Sequence, residues 1–99
     1  MLAAFSITPV GVGEDVGKEV AAAVRVIRDS GLPSRTAASF TELEGDWDEV
    51  MAVIKAATDA VMKTSDRASI IIKADLRPGH TNTLNTKLES VERHLAEQE

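Results

Sequence analysis

Phe40-Thr41-Glu42-Leu43-Glu44-Gly45-Asp46-Trp47 joins an extended segment to a helix near the middle of the chain. Leu43 stands between two carboxylates, the alternation of a strand with one covered face. Asp46 can cap free helical N–H groups, and Glu49 sits at N3, as in a capping box. Gly45 just ahead allows a sharp turn. Beyond it, Trp47, Val50, Met51, Ile54, Ala57 and Val61 recur at helical spacing and predict a helix over 46–64.

Upstream, residues 34–44 are rich in small and β-branched side chains and carry no helical stripe. They predict two short strands, over about 35–38 and 40–44, with a tight turn near Ala38 and Ser39; one bent strand is the alternative. Over 14–30, Val16, Val20, Ala23, Val24 and Ile27 form an apolar helical stripe. Glu14 and Asp15 fall in its first turn and Arg25 and Arg28 in its last two, as the helix dipole prefers. Gly31 and Pro33 end it. Residues 3–9 alternate, Ala3, Phe5 and Ile7 against Ala4, Ser6 and Thr8, and predict a strand that closes in a turn over 10–13.

Downstream, residues 67–76 alternate strictly. Ala68, Ile70, Ile72, Ala74 and Leu76 face one way; Arg67, Ser69, Ile71, Lys73 and Asp75 face the other. Pro78 and Gly79 break the strand, and Leu84, Leu88, Val91 and Leu95 mark a last helix over 83–96. This order fits an α+β ferredoxin-like βαββαβ sandwich with an additional C-terminal helix. Two helices would cover one sheet face. The other, with Ser6, Thr8, Ser69, Ile71, Lys73 and Asp75, is half polar, and such a bare face suits a subunit interface.

The 99 residues form one expected domain, 1–99, with a modest core. Hydrophobic content of 43% beside 27% charge is that of a globular chain, not a disordered one. A net charge of -5 without a Lys/Arg cluster argues against nucleic acid as a partner. Absence of cysteine excludes disulfides and thiolate chemistry and fits the cytoplasm. Residues 1–7 are too short and too poor in basic residues for a signal peptide. No apolar run approaches the roughly 20 residues of a membrane span, so no membrane partner is expected.

Several motifs have two readings. Gly11-Val12-Gly13 follows a strand and opens a helix, but a dinucleotide fingerprint would need glycine at Val16, and the adjacent carboxylates repel phosphate; an ordinary turn explains it. His80 and His94 lack partners at metal-ligand spacing, so no metal site is expected. No nucleophile elbow, metal cluster or acid–base pair stands out, so no catalytic residue is assigned and the chain is expected not to be an enzyme. Five of the ten residues 41–50 are acidic. Asp46, Asp48 and Glu49 suit a helix start. Glu42 and Glu44, within a strand, either pair with Lys73 or a neighbouring subunit, or receive a cationic or amine-bearing ligand. Trp47 is most simply core, and otherwise offers a flat face to a ring. Lys73, Asp75 and Arg77 alternate at a strand end, either pairing with one another at a subunit edge or contacting a polar ligand.

Taken in order, these segments resemble the thiamine-binding or thiamine-binding-like proteins, a family of small chains of about this length. The resemblance covers nearly the whole sequence. It is carried by Ile7-Thr8-Pro9-Val10-Gly11, Ser30-Gly31-Leu32, Thr41-Glu42-Leu43-Glu44-Gly45, Ile72-Lys73-Ala74-Asp75-Leu76-Arg77 and Lys87-Leu88-Glu89-Ser90-Val91. Ser34 replaces a frequent family Tyr, and Ser39-Phe40 a frequent Met-Gly pair. The resemblance implies a ferredoxin-like fold, homodimers or homotetramers built through the sheets, and non-catalytic binding of thiamine or its hydroxymethylpyrimidine portion. No resident cofactor is implied, thiamine being the possible ligand. On this reading Glu44 accepts from the pyrimidine 4-amino group, Thr41 orients the ring, and Ser6, Thr8 and Lys73 line the polar side. Trp47 or Phe40 supplies a stacking face. The competing reading is a structural or regulatory oligomer that binds another small ligand or none.

Overall fold

A computed structural model describes residues 1–14 and 16–98. The elements run β1 (Leu2–Val10), α1 (Gly17–Asp29), β2 (Ser34–Thr36), β3 (Thr41–Glu44), α2 (Trp47–Val61), β4 (Arg67–Asp75) and α3 (Thr83–Glu97). The strands form one sheet in the order β2-β3-β1-β4, every neighbouring pair antiparallel. This is the ferredoxin-like arrangement. The 34–44 segment is a hairpin, not one bent strand: Thr36 pairs with Thr41, and the Ala37 N–H donates to the Phe40 carbonyl at 3.0 Å.

Alternation fixes what each strand buries. Ala3, Phe5 and Leu43 enter the core with Ala23 and Ile27 of α1 and Val50, Ile54, Ala57 and Val61 of α2. Ala3 lies opposite Leu43 on β3 and Ala74 on β4, so the apolar alternates of all three strands share the face the helices cover. The cover is incomplete. β4 is an edge strand, and on that face Ile70 and Ile72 remain 43% and 40% exposed.

Three boundaries or roles differ from the sequence expectation. Helix α1 starts at Gly17, not at residue 14, because Gly11 and Gly13 adopt φ of +85° and +95° and carry the chain through a turn first. Glu14 therefore precedes the helix, Glu19 supplies the acid of its first turn, and Asp15 lies outside the described residues. Trp47 is not core: it opens α2 with its surface 53% exposed. Gly45 needs no left-handed conformation; its lack of a side chain instead lets Leu32 and Val50 close in, since a Cβ there would meet Leu32 methyl carbons at 3.2 and 3.3 Å.

Candidate functional site

Strand β3 is short, and its shortness makes the cleft. It pairs with β1 only from Leu2↔Glu44 to Phe5↔Thr41, whereas β1 continues to Val10 against β4. The chain enters β3 through residues 37–40, whose small Ala37, Ala38 and Ser39 do not fill the space beside the far half of β1. A cleft of about 230 Å³ remains between that half, α1 and the hairpin loop. Phe5, Ile7, Val20 and Ala23 form apolar walls, and Thr36, Ser39, Phe40 and Thr41 stand around the mouth. Val20 stays exposed here although it belongs to the apolar stripe of α1. Ser6 and Thr8 border the cleft, but alternation sends their side chains to the opposite sheet face from Phe5 and Ile7.

The six residues nominated from sequence therefore do not converge. Thr41, with Ser6 and Thr8 at the border, belongs to the cleft. Glu44 lies at the other end of β3 on the opposite face, since Leu43 between Glu42 and Glu44 is on the core side. Trp47 follows three residues later, beyond the cleft. Lys73 lies on the open face in a row with Ala4, Glu42 and Arg35, which are successive cross-strand neighbours. Among the described residues no ion pair joins Lys73 to Glu42.

Glu44 has a partner that local sequence did not reveal. Its side chain is buried, and it accepts the Thr83 N–H on Oε2 at 2.7 Å and the Leu84 N–H on Oε1 at 3.1 Å. A carboxylate from the sheet thus caps the start of α3, whose first turn contains no acidic residue of its own. Burial pushes the Glu44 carboxyl upward, but the Leu84 and Thr83 N–H groups, the Thr83 hydroxyl and the Met1 ammonium outweigh it and hold the group below its ordinary value. The signal in sequence was the bare start of α3; its acceptor lies 39 residues away and no periodicity links the two.

The basic and acidic alternates at the end of β4 also resolve. Asp75 pairs with Lys87 of α3, which lowers the Asp75 pKa, with smaller contributions from Arg77 and Lys73. The expected mutual pairing of Lys73, Asp75 and Arg77 is thus replaced by a contact to α3. His94 faces Glu97 at 3.4 Å on the surface of α3. Among the described residues no three His, Asp or Glu side chains are placed to hold a metal ion.

The family model for thiamine-binding protein matches residues 3–92. The chain belongs to the thiamine-binding protein family. A UPF0045 protein of Mycobacterium tuberculosis (strain CDC 1551 / Oshkosh) is 54% identical over 96 residues, 96% of this chain and 94% of that one. The crystal structure of a hypothetical protein from Methanocaldococcus jannaschii superimposes with a TM-score of 0.85 at 36% identity, covering 92% of this chain and 94% of that one. A Thermotoga maritima protein, assigned provisionally to thiamine biosynthesis or salvage, has a TM-score of 0.70 at 21% identity over 90% of this chain and 99% of its own, a likeness of fold. The family carries a binding description and no catalytic name, and no helix among the described residues is long and apolar enough to cross a membrane.

Proposed function

We propose that this member of the thiamine-binding family is a cytoplasmic, non-catalytic binding protein that takes the pyrimidine ring of a thiamine-like molecule into the cleft beside β1. The observation that carries the reading is the cleft itself: apolar walls for a flat ring, with the Thr41 hydroxyl, singled out by the family motif, at its mouth. At about 230 Å³ it is smaller than the roughly 300–1,000 Å³ of most ligand sites. One ring fits that space better than the two of thiamine, and the cationic thiazolium would extend outward, past Phe40. Thr41 and Phe40 are the proposed ligand contacts. Ser6 and Thr8 border the cleft with their side chains on the opposite sheet face, and Glu44, Trp47 and Lys73 lie outside it.

The oligomer is proposed on area. The chain exposes 6778 Å², about 1,300 Å² more than the roughly 5,500 Å² expected of a compact monomer of its mass. Its radius of gyration of 15.2 Å exceeds the compact expectation of about 12.6 Å. That surplus is of the size a stable subunit interface buries per partner, roughly 800 Å² or more. It includes the open apolar alternates of β4 and the α3 stripe of Leu88, Val91 and Leu95, exposed by 45%, 55% and 49%. A second copy is its natural cover.

One observation favours the competing, purely structural reading: the most prominent acid of the motif, Glu44, is engaged by α3. Titration calorimetry separates the two. Thiamine and free hydroxymethylpyrimidine should both release heat with the wild type, and Thr41→Val should bind about three- to tenfold more weakly, the worth of one hydrogen bond. Absence of heat with both compounds would leave the structural reading standing.

A further inference from the structure

The hydrogen-bond ladder assigns a specific pair of main-chain groups to the cleft. The Met1 ammonium donates to the Gly45 carbonyl at 2.7 Å, and the Gly45 N–H donates to the Met1 carbonyl at 3.1 Å. Residues 1 and 45 are therefore a mutually bonded pair. In an unbroken antiparallel ladder such pairs alternate, so the odd residues of β1 bond toward β3 and the even ones toward β4. The registers of β1 run without a skip on both sides. The far edge of β3 obeys the same parity: Glu44 donates to the Pro33 carbonyl at 3.0 Å, away from β1. Met1, Ala3 and Phe5 thus bond with Gly45, Leu43 and Thr41.

Ile7 is the next odd residue. Its counterpart would be position 39, but the chain has already turned away there, closed by the Ala37–Phe40 hydrogen bond. The Ile7 N–H and C=O therefore point into the gap where β3 stops, and Ile7 lines the cleft. The residue after that on the same side is Pro9, which has no N–H to donate. Proline within a strand is tolerated where its nitrogen faces away from a ladder, so the sequence independently marks this side of β1 as unpaired beyond Phe5.

We infer that the Ile7 N–H and C=O form the polar recognition edge of the cleft, and that they read a planar heterocycle presenting an acceptor nitrogen beside an amino donor. The ring nitrogen would accept from the Ile7 N–H while the neighbouring amino group donates to the Ile7 carbonyl, the exchange a missing strand residue would make. A 4-aminopyrimidine has that edge. No side chain, and in particular no carboxylate, is then needed to recognise the amino group, which frees Glu44 for α3. The selectivity follows from chemistry: a ring that lacks the amino group, or carries an oxo acceptor in its place, leaves the Ile7 carbonyl unmet.

This inference rests on the proposed ligand class, so its test must separate the two. Amide hydrogen exchange of the intact 15N-labelled protein does so, read at Ile7 with Ala3 and Phe5 as internal standards. Without ligand, the Ile7 amide should exchange at least about tenfold faster than that of Phe5. Added hydroxymethylpyrimidine should slow Ile7 by about tenfold or more, and the 4-oxo analogue of the ring should bind too weakly to do so. If the aminopyrimidine binds by calorimetry while Ile7 exchange is unchanged, this inference falls and the proposed function survives. If Ile7 is already protected in the free protein, the ladder argument fails outright. If neither thiamine nor the pyrimidine binds, both fall.

Discussion

Glu44 shows how a residue can stand out in sequence for one reason and be used for another. A carboxylate in a strand is unusual, and its position in the family motif drew it toward the ligand. In the folded chain it holds the start of α3. Glu44→Gln keeps one acceptor oxygen and leaves one helix N–H unmet, which should destabilise the α3 attachment by about 1–3 kcal/mol. Faster amide exchange at Thr83 and Leu84, with the sheet amides unchanged, would verify that. The pH dependence follows from the direction of the shift. The folded-state pKa of Glu44 lies below its ordinary value, so its contribution is complete above the unfolded value of about 4.3 and is lost as pH falls through the folded pKa. Acid titration should therefore loosen α3 before the core unfolds, visible as loss of protection at Leu84 ahead of Leu43. Trp47 is exposed for a related reason: periodicity finds the apolar face of a helix, but the first residue of a helix lies at the margin of what the sheet covers.

At the level of elements, most of the architecture could be read from alternation and punctuation. The strict period of two in 67–75, the stripe of α2 with its Asp46–Glu49 cap, and the paired short strands over 34–44 all have local causes. The Asp46 N–H indeed donates to Glu49 Oε1 at 3.1 Å. Alternation also contains the fact that Thr41 and Glu44 cannot share a face, three positions apart in one strand, though the motif groups them. What local pattern could not supply was the length of β3. Hairpin registry set it, and with it the gap beside Ile7. Leu43 is the keystone of this short strand, fully buried between β1, β2 and the helices. Leu43→Ala should cost about 2–5 kcal/mol by chemical denaturation. A milder change is expected at Gly45→Ala: the added methyl meets the flexible end of Leu32, and a loss within about 1 kcal/mol would fit a close approach without backbone strain.

On the scale of the whole molecule, sequence order led to the sandwich but not to the path of α3. The helix is attached through Glu44, Leu84 and the Asp75–Lys87 pair, and the rest of its apolar stripe is open to a partner. Light scattering behind size exclusion should give a mass at least twice 10.6 kDa, and Leu88→Asp with Val91→Asp should shift the population toward monomer if α3 meets a second copy. The cleft lies on the side of the sheet that α1 covers, whereas Glu42, Lys73 and the attachment of α3 through Glu44 and Asp75 lie on the other. Mapping 1H–15N shifts during titration with hydroxymethylpyrimidine distinguishes the two sides in one experiment. Saturable shifts confined to Ile7, Thr36, Phe40, Thr41 and the start of α1 are expected. Shifts centred on Glu42 and Lys73, or none at any residue, would contradict binding in the cleft.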